Sequence, residues 1–511
     1  MPQVSGSQSR PSSSASKHFA IIGAGITGLS AAQRLLADDP TAQVTIFEKN
    51  NRAGGIIQTI HEDGFLLELG PDSFITNKPA AIRLCQEIGF ENQLIPTDNQ
   101  HRRSLVLSDG KPVAVPAGFM LMAPSNLSAI AKTDVLSKEG RLRLLQESQI
   151  PAARQIEDES LANFVRRRFG RETLDRLVQP LVGGIYTSDP EKLSIKATLP
   201  RFQQMEQRYG SVTVGTLLQN LKGAAGSPEA NGNADHRAGN GDTGNKPAVD
   251  NVTAESTASS GARYGLFAAP QNGMSSLFDA LQAWVTKDNR CQIRLGTSVV
   301  GLQHDQDWTV QIEGQPNEKF DAVIVALPTH QASQLLMTEA TVELKQKLAE
   351  IEYASSVIMV STHQISDFAH PLDAFGLVIP MRERRDILAV SFSSRKFPGR
   401  APDGSIILRT FVGGATQPHL VEKPDDEIRG IVNGELRRIF GMKSPPTKSW
   451  IARYHRAMPQ YHIGHIDRVA VIEQLTAQIH GLELAGSAYH GVGIPDSVDS
   501  GQKAALRILN S

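Results

Sequence analysis

Gly23, Gly25 and Gly28 stand in the run Gly23-Ala24-Gly25-Ile26-Thr27-Gly28, which follows a short apolar stretch and opens a segment with helical apolar spacing. Glycines at this spacing serve a dinucleotide. The first permits a tight turn, the second lets the backbone approach a pyrophosphate, and the third lets helix and strand pack closely. The helix N-terminus then offers free N–H groups and the positive end of its dipole to the phosphates. Glu48 lies twenty residues beyond Gly28, where an acid accepts hydrogen bonds from the adenosine ribose hydroxyls. An acid at this position, rather than an arginine, argues against a 2′-phosphate and so against NADP.

A GxGxxG alone is a weak signal, so its flanking elements carry the argument. His18 to Gly23 reads as a buried strand, Thr27 to Ala37 as a helix, and Val44 to Glu48 as a second strand. Together they form a βαβ unit of about thirty residues. Arg52-Ala-Gly54-Gly55 follows at once, and its paired glycines let a second stretch of backbone pass beside the cofactor. Next comes Glu68-Leu-Gly70-Pro71-Asp72-Ser73. At the far end, Leu482 to Gly486 reads as a short strand. It leads through the Gly-rich Gly486-Ser-Ala-Tyr-His-Gly491-Val492-Gly493-Ile494-Pro-Asp496 turn into a helix over Asp499 to Leu509.

The rest of the chain sets limits. With 511 residues, more than one domain is expected. Net charge is −1 and no basic stripe with interleaved aromatics occurs, so no nucleic-acid partner is expected. Two cysteines, Cys85 and Cys291, are too few for a disulfide framework and point to a reducing compartment. Both read as small buried apolar residues, and no metal site is indicated. No apolar run reaches the roughly 18 residues of a membrane span. Residues 1–17 read as a disordered tail rather than a secretory signal. Residues 223–261, rich in Gly, Ala, Asn, Ser and Asp, read as a disordered insertion. Helical character is expected over Lys138–Gln149, Leu161–Leu177 and Met274–Val285, and strand over Gln292–Leu302 and Phe320–Pro328. The apolar, proline-broken Val113–Pro124 could touch a membrane surface or line a cavity or core, and the second is favoured.

The motif order resembles the flavoprotein superfamily of amine oxidases, phytoene desaturases and protoporphyrinogen oxidases, in which Glu-x3-Arg-x-Gly-Gly is an FAD signature. Gly70-Pro-Asp-Ser-Phe74, Leu181-Val-Gly-Gly-Ile-Tyr186 with Asp189-Pro-Glu-Lys-Leu-Ser194, Met458-Pro-Gln-Tyr461-His-Ile-Gly464-His and Gly491-Val-Gly-Ile-Pro-Asp496 narrow it. They resemble the oxygen-dependent protoporphyrinogen and coproporphyrinogen III oxidases of bacterial type, from His18 to the end. The resemblance implies an α/β fold: a Rossmann-like FAD-binding domain, an interleaved α+β substrate domain and a helical domain of the membrane-contacting type. The expected division is FAD-binding pieces at 18–90, 264–330 and 451–511. Helical structure with part of the substrate domain falls at 91–210, and the main substrate domain at 331–450.

The resemblance also assigns residues. Gly23, Ala24, Gly25, Ile26, Thr27 and Gly28 would hold the pyrophosphate, and Glu48 and Lys49 the ribose. Arg52, Gly54, Gly55 and Ile56 would make the second FAD contact. Gly70, Pro71, Asp72 and Ser73 would face the flavin, with Tyr454 beside it where relatives often carry Trp. Val299 would meet the adenine, and Val492, Gly493 and Ile494 the flavin from the C-terminal side. Arg103, with Arg102 adjacent, would pair a substrate propionate, and Gly184 would offer a backbone contact.

The implied reaction is six-electron oxidation of a porphyrinogen. A hydride would pass from a bridging methylene to flavin N5 in each of three rounds, with dioxygen reduced to hydrogen peroxide. FAD is expected to be non-covalent. No catalytic acid or base is assigned, and His462, His465 and His490 read as structural. A cytoplasmic location, peripheral on the inner face of the membrane or free, fits the resemblance, and a homodimer is open. Two other readings stand: a flavin amine oxidase or carotenoid-type desaturase, and a flavin-binding sensor or scaffold without turnover. The choice between protoporphyrinogen and coproporphyrinogen III is also open.

Overall fold

The computed structural model describes residues 16–153, 157–224 and 267–510. All but the last two residues of the expected tail, and all but the first two residues of the expected insertion, lie outside them. Gly223 and Ala224 close the helix Val212–Ala224, so helix continues to the edge of the described segment.

A five-stranded parallel sheet carries the first motif. Its order is Cys291–Arg294, Gln43–Phe47, His18–Ile22, Ala322–Val325, Leu482–Leu484. Both faces are covered, which explains why its strands are continuous apolar runs. Side chains alternate between the two faces. Phe19, Ile21, Val44 and Ile46 enter a core with the helices Ile26–Asp38, Met274–Val285 and Ile494–Leu509. Ala20, Ile22 and Phe47 enter a second core beneath the antiparallel strands Val299–His304, Trp308–Ile312 and Glu318–Phe320. Gly501 brings the last helix onto the first, since a Cβ there would overlap the Thr27 carbonyl.

The second sheet has seven strands: Lys448–Pro459, Tyr353–Gln364, Ser405–Gly413, Ala389–Phe392, Gly376–Val378, Ser104–Ser108, Lys111–Ala114. The helix Asp425–Phe440 covers one face through Ile428, Val432 and Leu436, packed on Val357, Leu408 and Val412. The other face looks toward the site. A helical region from Leu127 to Ala224 has its own core around Phe164, Phe169, Leu177 and Phe202. Inside it, the fully buried Arg168 is paired with Glu147, and Arg167 bridges Glu159 at 2.6 Å and Glu206 at 2.5 Å.

Several boundaries differ from expectation. Residues 451–459 belong to the seven-stranded sheet, because strand Lys448–Pro459 pairs along Tyr353–Gln364. Helices Thr329–Leu335 and Val342–Ala349 pack beside the parallel sheet, so the chain returns to the second sheet at Tyr353 and not at 331. The expected strand Gln292–Leu302 is two strands of different sheets, broken where Gly296 takes φ +61°. The last helix begins at Ile494, not Asp499, capped by Asp496, whose carboxylate accepts the Gly493 N–H at 3.2 Å. The stretch Val113–Pro124 points inward: Phe119, Met122 and Ala123 are buried. Among the described residues, no helix is long and apolar enough to cross a membrane.

Candidate functional site

The Gly-rich turn is built as its residues predict, with a separate cause at each glycine. Gly23 takes φ +106°, and a Cβ there would sit 2.7 Å from the Ala326 carbonyl oxygen. A Cβ on Gly28 would overlap the Gly23 carbonyl, so this glycine closes helix on turn. A Cβ on Gly25 would meet no protein atom within 4 Å. Packing therefore leaves Gly25 free, and its bare backbone is available to a ligand. Gly25 is also the N-cap of the helix Ile26–Asp38, and Thr27 lies in that helix's first turn.

Glu48 ties this turn to the second strand. One carboxylate oxygen accepts the Ala24 N–H at 3.0 Å, and the other accepts the Asn50 backbone and side-chain N–H groups at 3.0 and 2.6 Å. Glu48 and Lys49 border a cavity of about 410 Å³ with Gly23, Thr297, Val299 and His330. The ribose and adenine residues assigned from the sequence are thus brought together, and Gln331 and Gln334 join them from a helix the sequence did not point to.

The second glycine pair lies against the first turn. The Gly54 N–H donates to the Ala24 carbonyl at 2.9 Å, and a Cβ on Gly55 would be 3.5 Å from Gly25 Cα. Arg52 turns back on its own loop. Its guanidinium donates to the carbonyls of Ala53 (3.2 Å), Ile57 (2.9 Å) and Gly55 (2.7 Å), so it braces the loop. Ile56 is about half exposed at 51%. Gly70 packs on this loop so closely that a Cβ would overlap the Ile56 carbonyl. Tyr454 donates its hydroxyl to the Leu69 carbonyl at 2.9 Å, joining the seven-stranded sheet to the segment that carries Gly70 and Pro71.

Beyond Pro71 the site becomes charged. Asp72 pairs with Lys396 at 2.9 Å and Arg409 at 3.0 Å, and Ser73 joins Lys396 at 2.8 Å. Arg409 also donates to the Gly70 carbonyl. Burial works against the charged form of Asp72, but Lys396 and Arg409 outweigh it and hold its carboxyl well below the usual carboxylate range. These three residues border a second cavity, of about 280 Å³. Its other walls are Phe119, Leu121, Leu181 and Ile185 from the helical side and Val378 and Phe411 from the seven-stranded sheet. Gly184 also borders it, and a Cβ placed there would lie 3.7 Å from Val378.

The C-terminal turn reaches the same junction. Ile494 enters the core of the parallel sheet, while Val492 packs on the helical core. Tyr461 organises this turn, with its hydroxyl donating to the Ser487 carbonyl at 2.6 Å and accepting the Gly491 N–H at 2.8 Å.

Arg103 is not in the cavity. It pairs with Asp373 at the surface, its Nε donating to the Asp373 carbonyl at 2.8 Å, because the strand that begins at Ser104 turns Ser104 and not Arg103 toward the cavity. Arg102 reaches the Thr97 carbonyl at 3.4 Å. None of the three histidines borders the second cavity. His465 stacks on Tyr461 with ring centroids 3.9 Å apart, and burial brings it down to about 4. His490 is exposed and pairs with Glu473 at 2.6 Å, and His462 lies 3.7 Å from Glu352. Burial pushes both thiols, Cys85 and Cys291, up to about 12. The sequence reading missed Lys396 and Arg409. The available signal was an arginine in the middle of the apolar strand Ser405-Ile-Ile-Leu-Arg-Thr-Phe-Val412.

Comparison with known proteins agrees with this geometry. Residues 26–509 match the family model for flavin containing amine oxidoreductases. The coproporphyrinogen III oxidase of Propionibacterium freudenreichii subsp. freudenreichii is 32% identical, over 100% of this chain and 94% of that protein. That of Staphylococcus aureus is 31% identical, over 96% of this chain and 99% of that one. A solved structure from Exiguobacterium sp. 255-15, assigned as a protoporphyrinogen oxidase, superposes with a TM-score of 0.80 at 27% identity, covering 97% of this chain and 100% of that one. The chain therefore belongs to the flavin-containing amine oxidoreductase family, in the branch of the coproporphyrinogen III and protoporphyrinogen oxidases.

Proposed function

We propose that the chain is an FAD-dependent oxidase that converts a porphyrinogen, coproporphyrinogen III or protoporphyrinogen IX, to the corresponding porphyrin. One observation carries the reading. The cradle that begins at the Glu48 cavity runs past Gly25, Gly55 and Gly70 and ends at a largely apolar cavity whose charged lining residues are two cations and one carboxylate. A tetrapyrrole with carboxylate side chains matches both the apolar walls and the sign of the charge. FAD held there without a covalent link would accept two electrons in each of three rounds and pass them to dioxygen, giving hydrogen peroxide.

The chain's own part is orientation and exclusion of water. Phe119, Leu121, Leu181, Ile185 and Phe411 supply the dry walls. Asp72 is held ionised by two cations and already bonded, so it is a brace and not a proton shuttle. The same cations weigh against the amine-oxidase reading, because a protonated amine would enter a cavity of its own charge sign.

The test is to purify the protein, record its flavin absorbance, and follow porphyrin fluorescence on coproporphyrinogen III and protoporphyrinogen IX under air. Fluorescence should rise with matching peroxide. A flavin-loaded protein that gives no rise with either substrate, or that oxidises amines instead, overturns the reading.

A further inference from the structure

Strand register divides the floor of the second cavity into two lanes. Ser104 lies opposite Gly376, Gly376 opposite Ser391, and Ser391 opposite Arg409. Two residues along, Val378, Ala389 and Phe411 line up in the same way. Side chains two apart share a face, so one cavity face carries a polar lane beside an apolar one. Asp72 and Lys396 border the same cavity as the polar lane.

The charges in that lane do not cancel. Asp72 faces two cations. Arg409 is the less accessible cation: it is 4% exposed against 14% for Lys396, with one terminal nitrogen on Asp72, the other on the Gly70 carbonyl and its Nε buried without a partner. Lys396 has a donor left. An ammonium has three donors, and Asp72 and Ser73 take two of them. Its Nζ is held 5.1 Å from the Phe267 ring centroid and 5.3 Å from that of Phe397, which fixes where the remaining donor can reach.

Building on the porphyrinogen reading, we infer that Lys396 is the anchor for a substrate carboxylate, in place of the surface residue Arg103. One propionate of the tetrapyrrole lies along Ser104, Ser391 and Lys396, and the adjoining pyrrole rings lie on Phe411, Leu181 and Ile185. One carboxylate on Lys396 brings the buried group to charge balance. Arg409 is a positioning residue that acts through Asp72.

The experiment separates charge from shape. Binding of coproporphyrin III and of its tetramethyl ester to the FAD-loaded protein is measured by fluorescence quenching for wild type, Lys396→Met and Lys396→Arg. Flavin absorbance reports that each variant is folded. Lys396→Met should weaken the free acid by roughly 10- to 100-fold, the range of a charge-assisted hydrogen bond, and the ester by less than about 3-fold. Lys396→Arg should recover most of the loss, and the same pattern should appear in KM more than in kcat. Equal weakening of acid and ester, or no weakening of either, overturns the anchor. A wild type that oxidises porphyrinogens while Lys396→Met binds the acid normally defeats the anchor alone. A wild type that binds the acid through Lys396 but oxidises neither porphyrinogen defeats the proposed activity alone. A wild type that binds no porphyrin defeats both.

Discussion

The Tyr461 hydroxyl accepts the Gly491 N–H at 2.8 Å while donating to the Ser487 carbonyl at 2.6 Å. One buried side chain, 1% exposed, therefore fixes both ends of the turn that leads to Gly493. Burial pushes its phenol far above the ordinary range, so it stays a donor at any working pH. Tyr461→Phe leaves a backbone donor and an acceptor without partners, at a cost of about 1–3 kcal/mol. Thermal unfolding should show that loss, and FAD affinity should fall roughly 10-fold as the turn loosens. Unchanged FAD affinity would mean that this turn does not meet the cofactor.

Gly25 and Gly28 look equivalent in the motif but make different demands. A side chain at Gly28 overlaps the Gly23 carbonyl, whereas one at Gly25 meets only open space. Gly28→Val should abolish soluble folded protein. Gly25→Val should fold with near-normal circular dichroism and lose flavin absorbance, because its new side chain occupies the place of the pyrophosphate. Retention of full flavin occupancy by Gly25→Val would remove the pyrophosphate from this turn.

Arg409 and Asp72 should be coupled. Asp72→Asn leaves Lys396 and Arg409 without their carboxylate in a largely buried site, and breaking such a pairing costs about 3–5 kcal/mol. Adding Arg409→Met should recover part of that loss, because a single lysine then remains in place of two like charges. Denaturant unfolding of the two single variants and the double variant gives the coupling directly. Strict additivity would mean the two residues do not act as one unit.

The same cluster shows what sequence could and could not reveal. The parallel sheet was legible because its strands are unbroken apolar runs and its glycines have a fixed spacing relative to Glu48. Lys396 and Arg409 were not legible, because they meet Asp72 only through the pairing of strands more than three hundred residues away. Arg103 misled for the opposite reason. It precedes a strand by one residue, and period-two alternation sends Ser104 inward and leaves Arg103 outside. The boundary at 451 failed because Lys448–Pro459 is an edge strand, part-exposed along most of its length, with no alternating apolar pattern to assign it to one sheet or the other.

Two buried histidines predict how stability depends on acid. His363, against Ser361 at 2.9 Å, and His465, donating to the Tyr489 carbonyl at 3.2 Å, are both 1% exposed. Burial lowers each from 6.5 to about 4. Above about pH 6.5 both are neutral in the folded and unfolded chains, so their full contribution is present. As pH falls from 6.5 to about 4 the unfolded chain takes up protons that the folded chain refuses, and stability is lost across that window by up to about 3 kcal/mol for each histidine. Asp72, held low by Lys396 and Arg409, adds its own loss only toward the acid end, where the unfolded carboxylate begins to take up a proton. Urea unfolding between pH 7.5 and 4.5 should therefore steepen below about pH 6.5, and His465→Gln, which keeps an N–H for the Tyr489 carbonyl, should remove about one proton from the slope. A slope that does not change in His465→Gln would show that this ring takes up its proton in the folded chain as readily as in the unfolded one.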